Sequence, residues 1–274
     1  MSKLADATPE EVRLAMKRAK ESFGPLRTLS GRKRSSLLCR IAEKIKGSKE
    51  TLIQTAERET ALGEKRLGME LVRTVSEIER FADFARKEEW RNRQFESADP
   101  LRQPLPKPNM VTQRIPIGPV VVIGACNFPF AISVVGTDTI SALAVGCPVI
   151  VKSHPEHAQT CQSIADLVKE AIEENNSPEY CFQLVHGQDH LVTRSLVQDP
   201  NASCIAFTGS LVGGQALSKL VAERPSPIPF HAEMGSLNAV FALPCAIGAD
   251  VRKLARNYLN AVNLFAGQMC TKPG

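Results

Sequence analysis

Three changes of pattern predict an α/β protein in which N-terminal helices precede a doubly wound, Rossmann-like parallel sheet. The first ninety residues keep helical spacing, with Leu37, Leu38, Ile41 and Ile45 on one apolar face. Pro100, Pro104, Pro106 and Pro108 then exclude helix. Beyond them, short apolar runs such as Pro119-Val120-Val121-Val122-Ile123-Gly124 alternate with helical stretches. Such runs are the pattern of strands buried on both faces, and alternation with helices implies right-handed crossovers in a parallel sheet.

In chain order, Thr8-Pro9-Glu10-Glu11 predicts a helix start, with Thr8 as N-cap, Pro9 at the first helical position and Glu11 completing a capping box. Val12, Ala15, Ala19 and Phe23 line its inner face, and Gly24-Pro25 is expected to stop it. A second helix follows Ser30, a third follows Ser48, and a long fourth runs from about Glu64 to Trp90. Phe95 to Asn109 reads as an extended connector and Met110 to Ile117 as an exposed strand. Strands are expected at Pro119–Gly124, Pro148–Lys152, Cys181–Val185, Ala202–Phe207, Phe230–Glu233 and Ala239–Leu243. Helices are expected at Ala131–Val145, Glu156–Glu174, Asp189–Val197, Ser210–Ala222 and Asp250–Val262.

With 34 basic and 29 acidic residues the net charge is only +5, and no long basic block of the nucleic-acid kind is present. The run Ile140–Val151 is broken by Ser141, Gly146 and Pro148 and is too short to span a bilayer, so no membrane partner is expected. Asp6, Glu10 and Glu11 argue against a signal or transit peptide. The eight cysteines show no paired short spacing and read as reduced thiols, giving a cytoplasmic expectation.

Polar residues concentrate where strands end, the place at which open α/β sheets bind ligands. Asn127 follows the strand ending at Ile123; its amide can face an oxyanion, or it can be a turn residue. Lys152 ends the next strand and suits ribose hydroxyls or a phosphate, or is simply solvated. Phe207-Thr208-Gly209-Ser210 ends a buried strand, and Gly213-Gly214 falls one turn into the next helix, where backbone amides can meet a phosphate. Glu233 stands beside Met234-Gly235, where an apolar setting would raise its pKa and suit it as a base; the alternative is a solvated strand end. Cys270, inside Gly267-Gln268-Met269-Cys270-Thr271-Lys272-Pro273-Gly274, is either an exposed nucleophile or a buried thiol.

Taken in order, Asn127-Phe128-Pro129-Phe130, Phe207-Thr208-Gly209-Ser210, Glu233-Met234-Gly235-Ser236 and Cys270 resemble the signature of the aldehyde dehydrogenase superfamily over essentially the whole chain. The resemblance implies that Cys270 adds to an aldehyde, with Asn127 and the Cys270 backbone amide as oxyanion hole, and that Glu233 activates the hydrolytic water. It implies cofactor contacts at Lys152, His154, Phe207, Thr208, Gly209, Ser210, Gly214 and Gly235, and no metal. It also implies a dinucleotide-binding domain over residues 1–236 (helical 1–94, connector 95–109, sheet 110–236) and the beginning of a catalytic domain over 237–274. The 25-residue step from Asn127 to Lys152 looks most like the ketoglutarate-semialdehyde and NADP-dependent fatty-aldehyde branch.

Pro155 stands where NAD-preferring relatives place a ribose-binding Glu. NADP is therefore the expected cofactor and NAD the alternative, with Lys152 and His154 supplying charge or donors and Glu156 opposing. A complete enzyme would be a homo-oligomer acting on a small aldehyde. Relatives also carry a strand hairpin before the first helix and a long region after the cysteine, so a truncated chain with little activity of its own is expected. Asn238-Ala239 replaces a common Asn-Pro, expected to alter chain stiffness slightly. The competing readings are a nucleotide- or partner-binding module without catalysis, and a CoA-acylating semialdehyde dehydrogenase, which typically lacks the carboxylate at Glu233.

Overall fold

The computed structural model describes residues 4–274; residues 1–3, the first of the expected cofactor domain, lie outside the described residues. Four helices open the chain: α1 (Pro9–Thr28), α2 (Gly31–Gly47), α3 (Lys49–Thr60) and α4 (Glu64–Lys87). The capping box is present, with the Glu11 amide donating to the Thr8 hydroxyl at 3.2 Å and the Thr8 amide donating to the Glu11 carboxylate at 2.7 Å. Gly24-Pro25 does not stop α1, contrary to expectation. The helix runs on to Thr28 because Leu26 is fully buried in the core, and that burial outweighs the hydrogen bond a proline cannot donate. The inner face accordingly reads Val12, Met16, Ala19, Ser22 and Leu26, with Ala15 and Phe23 only half-buried. Helix α4 ends at Lys87, two residues before a short turn of 3₁₀ helix at Glu89–Arg91.

The proline-rich stretch is not a plain connector. It leaves β1 (Gln94–Glu96) and returns in β2 (Met110–Thr112), which pair antiparallel. Asp99 and Lys107, neither a proline, exchange backbone hydrogen bonds of 2.9 Å between the two strands and the loop. The exposed strand expected over 110–117 is thus only three residues long and stands outside the main sheet.

The main sheet has five parallel strands: β3 (Val120–Ile123), β4 (Val149–Lys152), β5 (Phe182–Val185), β6 (Cys204–Gly209) and β7 (Phe230–Met234), in the order β5-β4-β3-β6-β7. They are linked through α5 (Thr137–Val145), α6 (Ala158–Glu174), α7 (His190–Gln198) and α8 (Leu211–Ala222). Alternation along the doubly buried strands divides the core. Val120, Val122, Val149 and Val151 pack with residues of α2, α4, α5 and α6, while Val121, Ile123, Ile150, Ile205 and Phe207 pack with residues of α1, α7 and α8. Successive crossovers run outward from β3 to β5, then return to β6 on the other side of β3. The switch in direction leaves a crevice between the loops that follow β3 and β6.

Three expected elements shift. Residues 131–136 are not helical, because the loop after β3 is tied down by side chains from α4 before α5 begins at Thr137. Residues 239–243 form no strand: beyond β7 only Asn238 makes a parallel bridge, to Pro273. The last helix, α9 (Pro244–Asn263), starts earlier than expected but breaks its helical path at Asp250, whose side chain accepts the Lys253 amide at 2.9 Å. Asp250 therefore caps the second part of the helix, the part whose start the sequence marks.

Candidate active site

Strand register sets the site. Ile123 lies level with Lys152 on one side and Phe207 on the other; Lys152 lies level with Val185, and Phe207 with Ala232. Every sheet residue singled out in the sequence falls on this row or just past it, at the carboxyl edge. Thr208 pairs with Glu233 and Gly209 with Met234, so the two motifs on β6 and β7 stand side by side. Gly235, at φ +72°, turns the chain after β7 and donates its amide to the Gly209 carbonyl at 3.3 Å, a conformation a side chain would strain.

Ser210 is the N-cap of α8, its hydroxyl accepting the Gly213 amide at 3.1 Å. The first-turn amides of α8 have no helical partner and carry the positive end of the dipole, so this terminus, beside the switch crevice, suits an anionic group such as a pyrophosphate. Gly214 has a different reason to be small. It is buried, and a β-carbon there would run into the Met234 side chain and press on the Phe207 ring.

Lys152 is only 9% exposed, and burial depresses its basicity, opposed by Asp6 and Asp189. His154 caps the short 3₁₀ turn Pro155–His157, its Nδ1 accepting the Glu156 amide at 3.2 Å, and stacks on His157 at 5.3 Å. Burial, with help from His157 and Lys152, lowers the His154 pKa to about 4. Of the charge or donors expected from it, His154 at neutral pH therefore offers a donor. A cavity of about 340 Å³ opens past β4 and β5 beside Asp6, Arg58, Glu59, Ser153, Glu156 and His186. Glu59 is already engaged there, accepting the Gln159 amide at 2.9 Å and the Thr160 amide and hydroxyl at 2.8 and 2.6 Å. A larger hollow of about 460 Å³ lies among charged side chains on the outer face of α4, away from the strand ends.

Glu233 is exposed on β7, so the apolar surroundings expected for it are not found. His231 shares its face of the strand, and both act on Asp138 of α5, whose pKa is raised by burial, with His231 opposing the shift and Glu233 adding to it. Asp138 is a neighbour that the sequence did not single out.

The eight cysteines divide cleanly. Cys147, Cys161, Cys181 and Cys204 are buried, and burial lifts the Cys181 pKa to about 12 and those of Cys161 and Cys204 to about 11. Burial raises Cys147 as well, so all four buried thiols are held toward the protonated form. Cys39, Cys126, Cys245 and Cys270 are exposed. Of these, Cys270 is tied to the site: the Asn127 side-chain amide donates to the Gln268 carbonyl at 3.0 Å, two residues before it. An amide nitrogen carries two hydrogens, so Asn127 keeps one for a ligand. Asn238 fixes the other side, donating to the Cys270 carbonyl at 2.6 Å and to the Lys272 carbonyl at 2.7 Å. Asn238 is thus a clamp on the cysteine segment, a role the sequence reading did not assign. Among the described residues, no group of three or more His, Cys, Asp or Glu side chains could hold a metal ion, and no helix is long and apolar enough to cross a membrane.

The aldehyde dehydrogenase family model matches residues 1–274. The chain is 38% identical over 268 residues to alpha-ketoglutaric semialdehyde dehydrogenase 2 of Azospirillum brasilense, covering 98% of this chain and 51% of that protein. It is 37% identical over 270 residues to alpha-ketoglutaric semialdehyde dehydrogenase of Acinetobacter baylyi, again with 98% and 51% covered. The chain therefore spans about half the length of the curated relatives it matches. In fold it is similar to glyceraldehyde-3-phosphate dehydrogenase GapN from Methanocaldococcus jannaschii complexed with NADP, at TM-score 0.82 and 22% identity, covering 100% of this chain and 56% of that one. A NAD-dependent benzaldehyde dehydrogenase from Corynebacterium glutamicum matches at TM-score 0.80 and 21% identity, with 98% and 55% covered.

Proposed function

Because this chain belongs to the aldehyde dehydrogenase family, we propose that the whole protein oxidises an aldehyde to a carboxylic acid with NAD(P), and that the aldehyde is a short keto-acid semialdehyde. The observation that supports the reading is the link between Asn127 and Gln268, which joins the loop after β3 to the segment carrying an exposed thiol, past the same carboxyl edge beyond whose row Glu233 stands.

The Cys270 thiolate adds to the aldehyde carbon, and the carbonyl oxygen becomes an oxyanion that the free Asn127 N–H and the Cys270 amide stabilise. A bound nicotinamide supplies the acceptor for the hydride. As the C–H bond breaks, the oxyanion reforms a carbonyl and the adduct on Cys270 becomes a thioester. Glu233 then takes a proton from water, the hydroxide attacks the thioester, and the C–S bond breaks to return the Cys270 thiolate. An exposed carboxylate suits this late role, since it must meet water. Lys152 orients ribose hydroxyls, and Ser210 with the first turn of α8 receives the pyrophosphate. Residues 1–236 are proposed as the cofactor domain and 237–274 as part of the catalytic one.

NADP is the preferred cofactor in this reading. Pro155 offers no carboxylate to a 2′-phosphate, Arg58 lines the cavity, and the charge of Glu59 is spent on the first turn of α6. Rapid mixing with alpha-ketoglutaric semialdehyde and either cofactor tests the whole scheme. The expected result is formation of reduced cofactor, reaching half-maximum at lower NADP than NAD, as a burst in Glu233→Gln and not even in a first turnover of Cys270→Ala. Reduced cofactor formed by Cys270→Ala would overturn the assignment of the nucleophile, and a lower half-maximum for NAD would overturn the cofactor preference.

A further inference from the structure

Helix α4 reaches this site from the rear through two charged residues one turn apart. Arg66 and Glu70 are each only 5% exposed. The Glu70 carboxylate accepts the amides of Phe130 and Ala131 at 2.7 and 2.8 Å and so anchors the far end of the loop that carries Asn127. Arg66 does something different. Its Nη2 donates to the Asn127 carbonyl at 2.5 Å, and its guanidinium lies over the rings of Phe128 at 5.3 Å and Phe265 at 4.8 Å. Phe265 belongs to the turn Leu264–Gly267 that leads directly into Gln268 and adopts left-handed backbone angles, φ 49° and ψ 47°. A phenylalanine held there is strained and needs support from its surroundings. One side chain therefore touches both partners of the Asn127–Gln268 link: the backbone of the first, and the ring three residues before the second.

The arrangement is hard to explain as a device for stability. Glu70 attracts the Arg66 guanidinium without bonding to it, and Arg66 Nε and Glu70 Oε2 are buried with no hydrogen-bond partner among the described residues. Burying a cation and orphaning polar atoms costs free energy, and what these side chains gain in return is their bonds to the backbone of the Asn127 loop. A planar guanidinium, in contrast, can donate in its plane while its faces pack on rings, which a lysine ammonium cannot do. We infer that Arg66 is a positioning residue that holds the Asn127 loop and the Cys270 segment in one register, so that the amide donor and the thiol meet the same carbonyl group. The inference rests on the roles proposed above for Asn127 and Cys270.

Peptide-resolved hydrogen exchange on the 274-residue chain tests the coupling without requiring turnover. Arg66→Ala should raise exchange by about tenfold in both 125–131 and 264–272, the effect expected for losing a charge-assisted hydrogen bond, and Arg66→Lys should recover part of the protection in both. Glu70→Gln should loosen 125–131 alone. A rise in only one segment for Arg66→Ala, or an equal rise through α2 and α3, would overturn the inference, and Arg66→Lys decides it by the same criterion if the Ala variant fails to fold. Iodoacetamide labelling supplies the chemical readout: the Cys270 to Cys39 rate ratio should change by about threefold or more in Arg66→Ala. An unchanged ratio would overturn the link to the nucleophile. If Cys270 reacts no faster than Cys39 in the unsubstituted chain, the catalytic reading of Cys270 fails, while the exchange results still judge Arg66.

Discussion

Lys152 and Cys270 are proposed to serve one reaction, yet their surroundings differ in kind. Lys152 ends a strand whose four residues are all buried, hydrogen-bonded between two further strands and packed on both faces by helices. Cys270 is exposed, follows a helix with no buried residue, and is held by a few named bonds: Asn127 to Gln268, Asn238 to Cys270 and Lys272, and Tyr258 to the Gly274 carbonyl at 3.3 Å. The cofactor side is positioned by a core, in which displacement disturbs many contacts at once. The thiol side is positioned by polar links, each of which can be removed singly. Changes on the two sides should therefore fail differently: on the sheet side as loss of fold, and on the thiol side as loss of register with the fold intact.

The largest effect should come from Gly214→Val. The new side chain collides with the Met234 side chain and crowds the Phe207 ring, and repacking them between α8 and the sheet costs about 1–3 kcal/mol. Calorimetry should show a melting temperature lower by several degrees. A melting temperature unchanged from the parent would mean that α8 does not depend on that close approach. Asn238→Ala lies on the other side of the comparison. It removes two hydrogen bonds from an exposed segment, so stability should change by about 1 kcal/mol or less, while the rate of Cys270 alkylation changes severalfold. If melting falls and labelling does not move, the segment is more deeply integrated than its exposure implies.

Close to neutral pH the smallest effect is a pH dependence on the sheet side, which grows as pH falls. His154 has an ordinary value of 6.5 when unfolded and about 4 when folded, so the unfolded chain takes up its proton first as pH drops. The stability contributed is fully present above pH 6.5 and is lost progressively as pH falls toward 4. His154→Asn should flatten that part of the urea-stability profile. An identical profile in the variant would show that another group controls it.

The sheet side was also the legible side. Doubly buried strands read as apolar runs, and their ends are marked by the polar residues that follow, so Asn127, Lys152, Ser210 and Glu233 could be placed at one edge from sequence alone. The thiol side was harder to read because its order comes from polar contacts between segments more than a hundred residues apart, such as Asn127 with Gln268. Arg66 and Glu70 escaped for a related reason. Charges four apart on an amphipathic helix look like a solvated pair. The available signal was that Arg66, Glu70 and the buried Thr74 continue one edge of the apolar stripe formed by Leu67, Leu71 and Ile78. The misplaced strand at 239–243 has the same origin, since local alternation cannot reveal that no strand lies alongside beyond β7.

The central claim is that Cys270 carries the covalent intermediate and Glu233 acts only afterwards, on water. Treating the protein with p-nitrophenyl acetate, quenching, and mapping acetylated peptides by mass spectrometry tests it directly, because the ester needs only a nucleophile and a hydrolytic base. Acetyl groups should collect on the peptide containing Cys270 in preference to those containing Cys39, Cys126 or Cys245. In Glu233→Gln acylation should proceed while release slows by roughly 10²–10⁴-fold, so the acetylated form should persist. If Glu233→Gln is instead acetylated no faster than Cys270→Ala, Glu233 is needed to form the adduct and the proposed division of roles is contradicted.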